Sequence, residues 1–190
     1  MTLAAQSAVI TIWSGVGVVW LVAALVTKRV ARTQSRTSRL AHVGLLLAAG
    51  VLLFSPAARW GWLSTRIAPD GPASVGTGFL FTLLGAVFAV WARLVLGGNW
   101  SGRVTIKQEH EVIQRGPYAV VRHPIYSGLL LAGLGTALVF GSVAGFLGVT
   151  LAFVGWWTKA RLEERYLRAT FGKAYADYCG RVKALVPFVL

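Results

Sequence analysis

Residues Arg115–Gly128 read RGPYAVVRHPIYSG, and an apolar run, Leu129–Phe140, follows at once. Fourteen residues hold Arg115, Arg122, His123, two tyrosines, two prolines and two glycines. Proline fixes φ and removes a backbone donor, so Pro117 and Pro124 prevent a helix from running through the segment. Irregular backbone at the edge of a membrane is tolerated where it is buried in protein or lines a cavity. A basic stop-transfer flank would need the arginines alone. It would not need His-Pro-x-Tyr or Gly-Pro-Tyr, so the stretch reads as a site.

Working outward, composition points to the membrane. Apolar residues make up 56% of the chain and charged residues 13%, against about 45–50% and about 25% in soluble domains. A length of 190 residues fits one domain. The net charge of +13 could suggest nucleic acid, but the basic residues lie between long apolar runs, where the positive-inside effect accounts for them. A single cysteine, Cys179, excludes an internal disulfide and lies too far from the C-terminus for a prenylation box. Three histidines and that cysteine lack metal-ligand spacing, so no metal is expected. No dinucleotide fingerprint follows a strand, because Gly133 and Gly135 lie inside an apolar helix.

Five spans are predicted: 8–26, 41–63, 74–96, 128–140 and 143–158. Nothing basic precedes the first, which disfavours a cleaved signal peptide. The second is only fourteen residues long as far as Phe54, and reaches spanning length by including Trp60 and Trp62 as interfacial aromatics. The alternation around Val104 and Ile106 fits a short strand or an extended loop. Gly141-Ser142 divides the last apolar region into a hairpin, with Gly141 and Gly145 as a small-xxx-small pair. The tail is expected to pair Glu164 with Arg168 at i, i+4. It should stop at Gly172, then form a short helix carrying Tyr175 and Tyr178 that Pro187 ends. Five crossings with a cytoplasmic first loop place 17 of the 19 Lys and Arg residues on one side, leaving Arg59 and Arg66 outside. Four crossings would export the seven basic residues of the tail. The predicted class is an all-α integral membrane protein of about five transmembrane helices, with a cytoplasmic cofactor-binding loop and a C-terminal helical tail. A transporter would carry polar groups in mid-span, and these spans read as bare there.

The motif GPYAVVRHPIYSG, followed by EERYLRATFGKAYADYCGRV and a Pro-Phe, resembles the isoprenylcysteine carboxyl methyltransferase and phospholipid methyltransferase superfamily. The likeness covers the C-terminal half. It implies a single membrane-embedded domain (residues 1–190) that uses S-adenosylmethionine without a Rossmann fold, with a cofactor site drawn from 103–128 and 159–183. By that resemblance His110, Glu111, Val112 and Ile113, then Tyr118, then His123, Pro124, Ile125 and Tyr126, and Glu163 bind the cofactor. A basic residue four before that glutamate contacts substrate in the prenylcysteine enzymes; Lys159 stands there rather than arginine, with Arg161 two residues on.

The residues are suited to this chemistry on their own account. Adenosylmethionine brings a carboxylate, for which Arg122 and His123 are donors, and an amine, for which Glu163 and Glu164 are the acids at a membrane helix end. Its sulfonium suits the aromatic faces of Tyr118, Tyr126, Trp156 and Trp157. Lys159, Arg161 and Arg93 are the candidate catalytic cations that would orient an anionic acceptor. The partners expected are membrane lipids and a lipophilic substrate arriving from the bilayer, with no nucleic acid, and an active site facing the cytoplasm. The acceptor is read as the carboxylate of an isoprenylcysteine, with a phospholipid amine or small thiol as the alternative and a non-catalytic scaffold as the third reading.

Overall fold

The computed structural model describes residues 3–25, 30–33, 36–97, 105–107 and 112–189. Among them are five α-helices: α1 Leu3–Ala24, α2 Arg36–Phe54, α3 Pro72–Leu96, α4 Pro124–Phe140 and α5 Val143–Arg181. Two short strands, β1 Val30–Thr33 and β2 Thr105–Lys107, pair antiparallel, with Arg32 opposite Ile106. The strand expected near Ile106 therefore exists, and its partner is the first basic loop. Val104 lies outside the described residues.

The chain is an all-α integral membrane protein. Helices α1, α3 and α5 are long and apolar enough to cross a membrane, while the apolar lengths of α2 and α4, Leu40–Phe54 and Pro124–Phe140, are shorter. The second expected span is corrected at its end. Helix α2 stops at Phe54 because Ser55 precedes Pro56 and is extended, with φ −77° and ψ 127°. Two 3-10 turns, Pro56–Ala58 and Gly61–Ser64, carry the chain onward, and Trp60, before the second, and Trp62, within it, are exposed.

The hairpin between α4 and α5 is built by its two linking residues. Gly141 caps α4 in the left-handed conformation at φ 73°, and the Ser142 hydroxyl accepts from Gly145 N at 3.3 Å to cap α5. The α2–α3 loop clasps this tip through Ile67 N to Gly141 O at 2.8 Å and Val143 N to Thr65 O at 3.0 Å.

The tightest packing is α3 on α4. Gly78 and Gly85 face Gly128 and Gly135, and a Cβ on Gly78 would lie 2.7 Å from Gly135 O, one on Gly128 2.6 Å from Gly85 O. The backbones approach too closely for any side chain there. Of the Gly141–Gly145 pair expected for this role, Gly141 is a cap, while a Cβ on Gly145 would lie 3.3 Å from Ala137 Cα, so α5 closes on α4 there. Mid-span hydroxyls are present as well: Trp13 Nε1 donates to Thr136 Oγ1 at 3.0 Å, and Thr136 lies 3.4 Å from Thr82 Oγ1. The spans are therefore not bare at their middles, but this cluster is satisfied within the protein.

Helix α5 has 39 residues, roughly 58 Å at 1.5 Å per residue and about twice the hydrocarbon thickness. Its charged half, from Lys159 onward, extends beyond the apolar layer. It breaks at Gly172, where φ is 51°, and resumes to carry buried Tyr175 and Tyr178. The helix ends at Arg181, six residues before Pro187, and the chain turns extended.

Candidate functional site

The site forms where α4 begins. His123 is the N-cap of α4 and Pro124 occupies its first turn, where a missing N–H leaves no bond unmade. The His-Pro pair is thus a helix start that holds an imidazole at the membrane edge. The chain after α5 runs back along it: Arg122 N donates to Lys183 O at 2.8 Å, His123 N to Ala184 O at 2.9 Å, and Ser127 Oγ to Leu185 O at 2.6 Å. Residues 182–185 act as a strap that fixes the start of α4 to the far end of α5. Sequence reading missed this strap, because backbone hydrogen bonds leave no residue signature.

Arg122, His123, Glu163 and Glu164 meet in one cluster. Glu164 Oε1 accepts from Arg122 Nε at 2.9 Å and Nη2 at 2.6 Å, and lies 3.2 Å from His123 Nε2. Arg122 Nη1 donates to Cys179 O at 3.3 Å and also to Val182 O. Four of the five guanidinium donors are thus committed within the protein. Glu163 Oε1 accepts from Tyr126 at 2.7 Å, its Oε2 is 3.5 Å from His123 Nδ1, and Lys159 Nζ is 3.9 Å from Oε1.

The two glutamates differ in access. The Glu164 side chain is 8% exposed and that of Glu163 21%. Burial alone would raise both carboxyls. The hydrogen bonds from His123 and Arg122 outweigh it at Glu164 and bring its pKa down to about 2. At Glu163 the bond from His123, the charge of Lys159 and the Tyr126 hydroxyl also win, and its pKa falls below the usual carboxylate value. Burial would lower His123, but its bonds to both glutamates raise it above the ordinary imidazole value. The i, i+4 pairing of Glu164 with Arg168 gives way to this cluster, since a buried carboxylate needs buried donors.

Aromatic rings line the other side. His123 stacks on Tyr126 at 5.5 Å and 6°, and Tyr126 on Trp156 at 6.1 Å and 6°. Lys159 Nζ lies 5.5 Å from the Tyr126 ring centroid. Trp156 also lines an apolar cavity of about 150 Å³ between α1, α2, α4 and α5, shared with Leu46, Leu53, Phe54 and Leu129. The polar cluster and the intramembrane cavity therefore share a wall.

The remaining candidates surround this wall, and Tyr126 and Leu129 pack against one group of them. Tyr118 and Ile125 are buried with Ala92, and the Tyr118 hydroxyl donates to Ala92 O at 3.4 Å. Ile113 packs on the same group, and Val112 is half-buried. His110 and Glu111 lie outside the described residues. Arg93 is buried where its guanidinium joins helix ends, donating to Ala23 O at 2.6 Å and Gly97 O at 2.9 Å. Arg161 is exposed and sits 5.6 Å over the Trp157 ring. His42, which carried no sequence signal, contacts Thr158 Oγ1 at 3.3 Å beside Lys159.

The phospholipid methyltransferase family matches residues 73–174, more than half of the chain. Protein-S-isoprenylcysteine O-methyltransferase B of Arabidopsis thaliana is 32% identical over 117 residues, 59% of this chain and 58% of its own length. The protein-S-isoprenylcysteine O-methyltransferase of Saccharomyces cerevisiae is 31% identical over 117 residues, 59% of this chain and 48% of its own length. That of Schizosaccharomyces pombe is 30% identical over 112 residues, covering 57% and 48%. The chain thus spans less than two thirds of the length of these relatives.

Proposed function

Because the chain belongs to the phospholipid methyltransferase family, we propose that it transfers a methyl group from S-adenosylmethionine to the carboxylate of an isoprenylcysteine-like acceptor at a cytoplasmic membrane face. One observation carries this reading: Tyr126 hydrogen-bonds Glu163 with its hydroxyl and stacks its ring on Trp156, which lines the apolar cavity. A charged cofactor and an apolar tail would meet at that ring.

The side chains present fit the cofactor. Glu163 is the more accessible acid and suits the cofactor's ammonium group, while Tyr126 and Trp156 offer π faces to a sulfonium. His123, held through Nε2 by Glu164 and through Nδ1 by Glu163, orients the accessible acid toward the ligand rather than donating to it. Arg122, whose donors are spent on Glu164 and the strap, supports the site rather than the ligand. When bound, adenosylmethionine supplies a methyl group, which the acceptor's lone pair takes while the carbon–sulfur electrons leave on sulfur. The protein's own work is to hold the partners in line and exclude water. A carboxylate acceptor is already nucleophilic, so no proton has to move. Lys159, 3.9 Å from Glu163, is the cation placed to orient it, and Arg93 acts at a distance by tying α1 to α3.

The relatives named for isoprenylcysteine favour the carboxylate acceptor. The family's description as phospholipid methyltransferase favours a lipid amine as a second reading. An amine must lose a proton and would sit beside Lys159, which disfavours it. The test is transfer of labelled methyl by detergent-solubilised protein into a farnesylcysteine analogue and into phosphatidylethanolamine. Transfer into the analogue is expected, and Lys159→Ala should impair turnover of it more than it weakens cofactor binding. Labelling of the phospholipid alone would replace the first reading with the second, and no labelling of either would sink both.

A further inference from the structure

The cavity between α1, α2, α4 and α5 meets the polar cluster at one end and two aromatic rings at the other. At the polar end Trp156 and Leu129 lie next to the Tyr126–Glu163 pair. At the other end stand two aromatic rings, Trp13 of α1 and Phe54, the last residue of α2. Between these ends the wall alternates small residues, Ala49, Gly50, Gly133, Gly148 and Ala152, with aliphatic side chains such as Leu53 and Val149. From Gly148 to Trp156 is eight residues of α5, about 12 Å of depth at 1.5 Å per residue.

Trp13 is anchored rather than loosely packed. Its Nε1 donates to Thr136 Oγ1 at 3.0 Å, and its ring meets Phe54 edge-on at 5.4 Å and 81°. An indole pinned by a hydrogen bond at one edge and by a ring at the other cannot swing aside without losing both contacts. In an apolar environment the lost indole bond would find no water to replace it. The other large residues of this cavity are aliphatic or lie at its mouth, so the floor is where depth is set.

We propose that Trp13 and Phe54 form a floor that selects the length of the acceptor's apolar tail. This rests on the reading above that the acceptor is lipophilic and lodges its tail in this cavity. Both residues lie outside the 73–174 segment that carries the family match. The length preference is therefore a property of this chain's own N-terminal helices. A tail short enough to stop above the rings places its head group at Tyr126 and Lys159. A longer tail must buckle or hold its head group out of line.

The experiment measures methyl transfer into geranyl-, farnesyl- and geranylgeranylcysteine analogues by the wild type and by Trp13→Ala, Trp13→Phe, Phe54→Leu and Thr136→Val. Trp13→Ala is expected to raise kcat/KM for the longest tail relative to the shortest by about tenfold, through KM, since the added room buries more of the chain. Thr136→Val keeps the volume but frees the indole, and should flatten the length profile. Phe54→Leu should shift it in the same direction as Trp13→Ala. Melting temperature and cofactor binding identify folded variants, and Trp13→Phe decides the matter if Trp13→Ala does not fold. Identical length profiles in the wild type and in the folded variants would overturn the floor while leaving the methyl-transfer reading intact. Failure of the wild type to label any of the analogues would remove both.

Discussion

Replacing Glu164 by glutamine separates a residue that holds the site together from one that holds a ligand. Glu164 Oε1 receives Arg122 Nε and Nη2 at 2.9 and 2.6 Å and lies 3.2 Å from His123 Nε2. Glutamine keeps one acceptor oxygen and loses the charge, so a buried guanidinium is left without its counter-ion and the imidazole keeps only Glu163. Breaking a buried pair by removing one partner costs about 3–5 kcal/mol. Arg122 retains the carbonyls of Cys179 and Val182, so the lower end applies, about 3 kcal/mol. For a chain of this size that is roughly 6–12 °C in melting temperature. Because the same guanidinium grips the strap, limited trypsin cleavage at Arg181 and Lys183 should quicken in step. Glu163→Gln touches a more exposed carboxylate and should melt within a few degrees of the wild type, yet bind adenosylmethionine about tenfold more weakly or worse. Differential scanning fluorimetry in detergent, proteolysis and isothermal titration read the three effects. Wild-type melting and cleavage in Glu164→Gln, with strong destabilisation in Glu163→Gln, would refute the division of roles.

Tyr126→Phe preserves the ring stack and removes the 2.7 Å bond to Glu163; adenosylmethionine affinity should fall about tenfold, and an unchanged titration isotherm would remove Tyr126 from the site. Reporter fusions after Arg36 and after Leu190 should both report cytoplasm, as 17 of 19 basic residues on one side require; opposite signals would break the five-crossing arrangement. The pH dependence follows from the cluster. His123 is raised above 6.5, so its contribution is complete below that value and lost as pH climbs through the raised one. Glu164 is lowered from 4.5 to about 2, so its contribution is complete above 4.5 and lost as pH falls toward 2. Melting temperature should therefore plateau between about 4.5 and 6.5 and fall first on the alkaline side, with a flat alkaline limb as the contrary result.

The features legible in the sequence are those set by local chemistry. Charge-free runs mark the helices and Gly141-Ser142 marks the hairpin, whereas Pro124, read as a bar to helix with the span starting at 128, opens α4 instead. Proline also marked the end of α2 at Ser55-Pro56, but counting apolar residues on to Leu63 overrode it. That count measures partition into lipid, not whether a backbone can stay helical. The seven-residue spacing of Gly78 with Gly85 and of Gly128 with Gly135 is as readable a close helix pair as Gly141 with Gly145. The partner of Glu164 was not readable. Its nearest helical neighbour of opposite charge is Arg168, whereas the residues that claim it, Arg122 and His123, are 42 and 41 positions away. Arg93 gave no sign of its role either, since a snorkelling arginine and one that ties Ala23 to Gly97 sit in the same apolar context.

Adjacent acids on one helix point about 100° apart, at 3.6 residues per turn, and this angle explains how a short motif performs two tasks. Glu164 turns toward the strap and is neutralised there by Arg122 and His123. Glu163 turns toward Tyr126 and Lys159 and keeps part of its surface open. His123 touches both carboxylates, through Nε2 and Nδ1 respectively. Its ring is therefore fixed by the buried acid and presented to the accessible one. Loss of the strap would release Arg122, weaken Glu164's hold on the imidazole, and disorder the ring that faces the ligand. The C-terminal residues 182–185 contribute no side chain to that ligand position, yet the cluster as built requires them. Truncation before Val182 should thus abolish cofactor binding even with every proposed ligand-contacting residue in place.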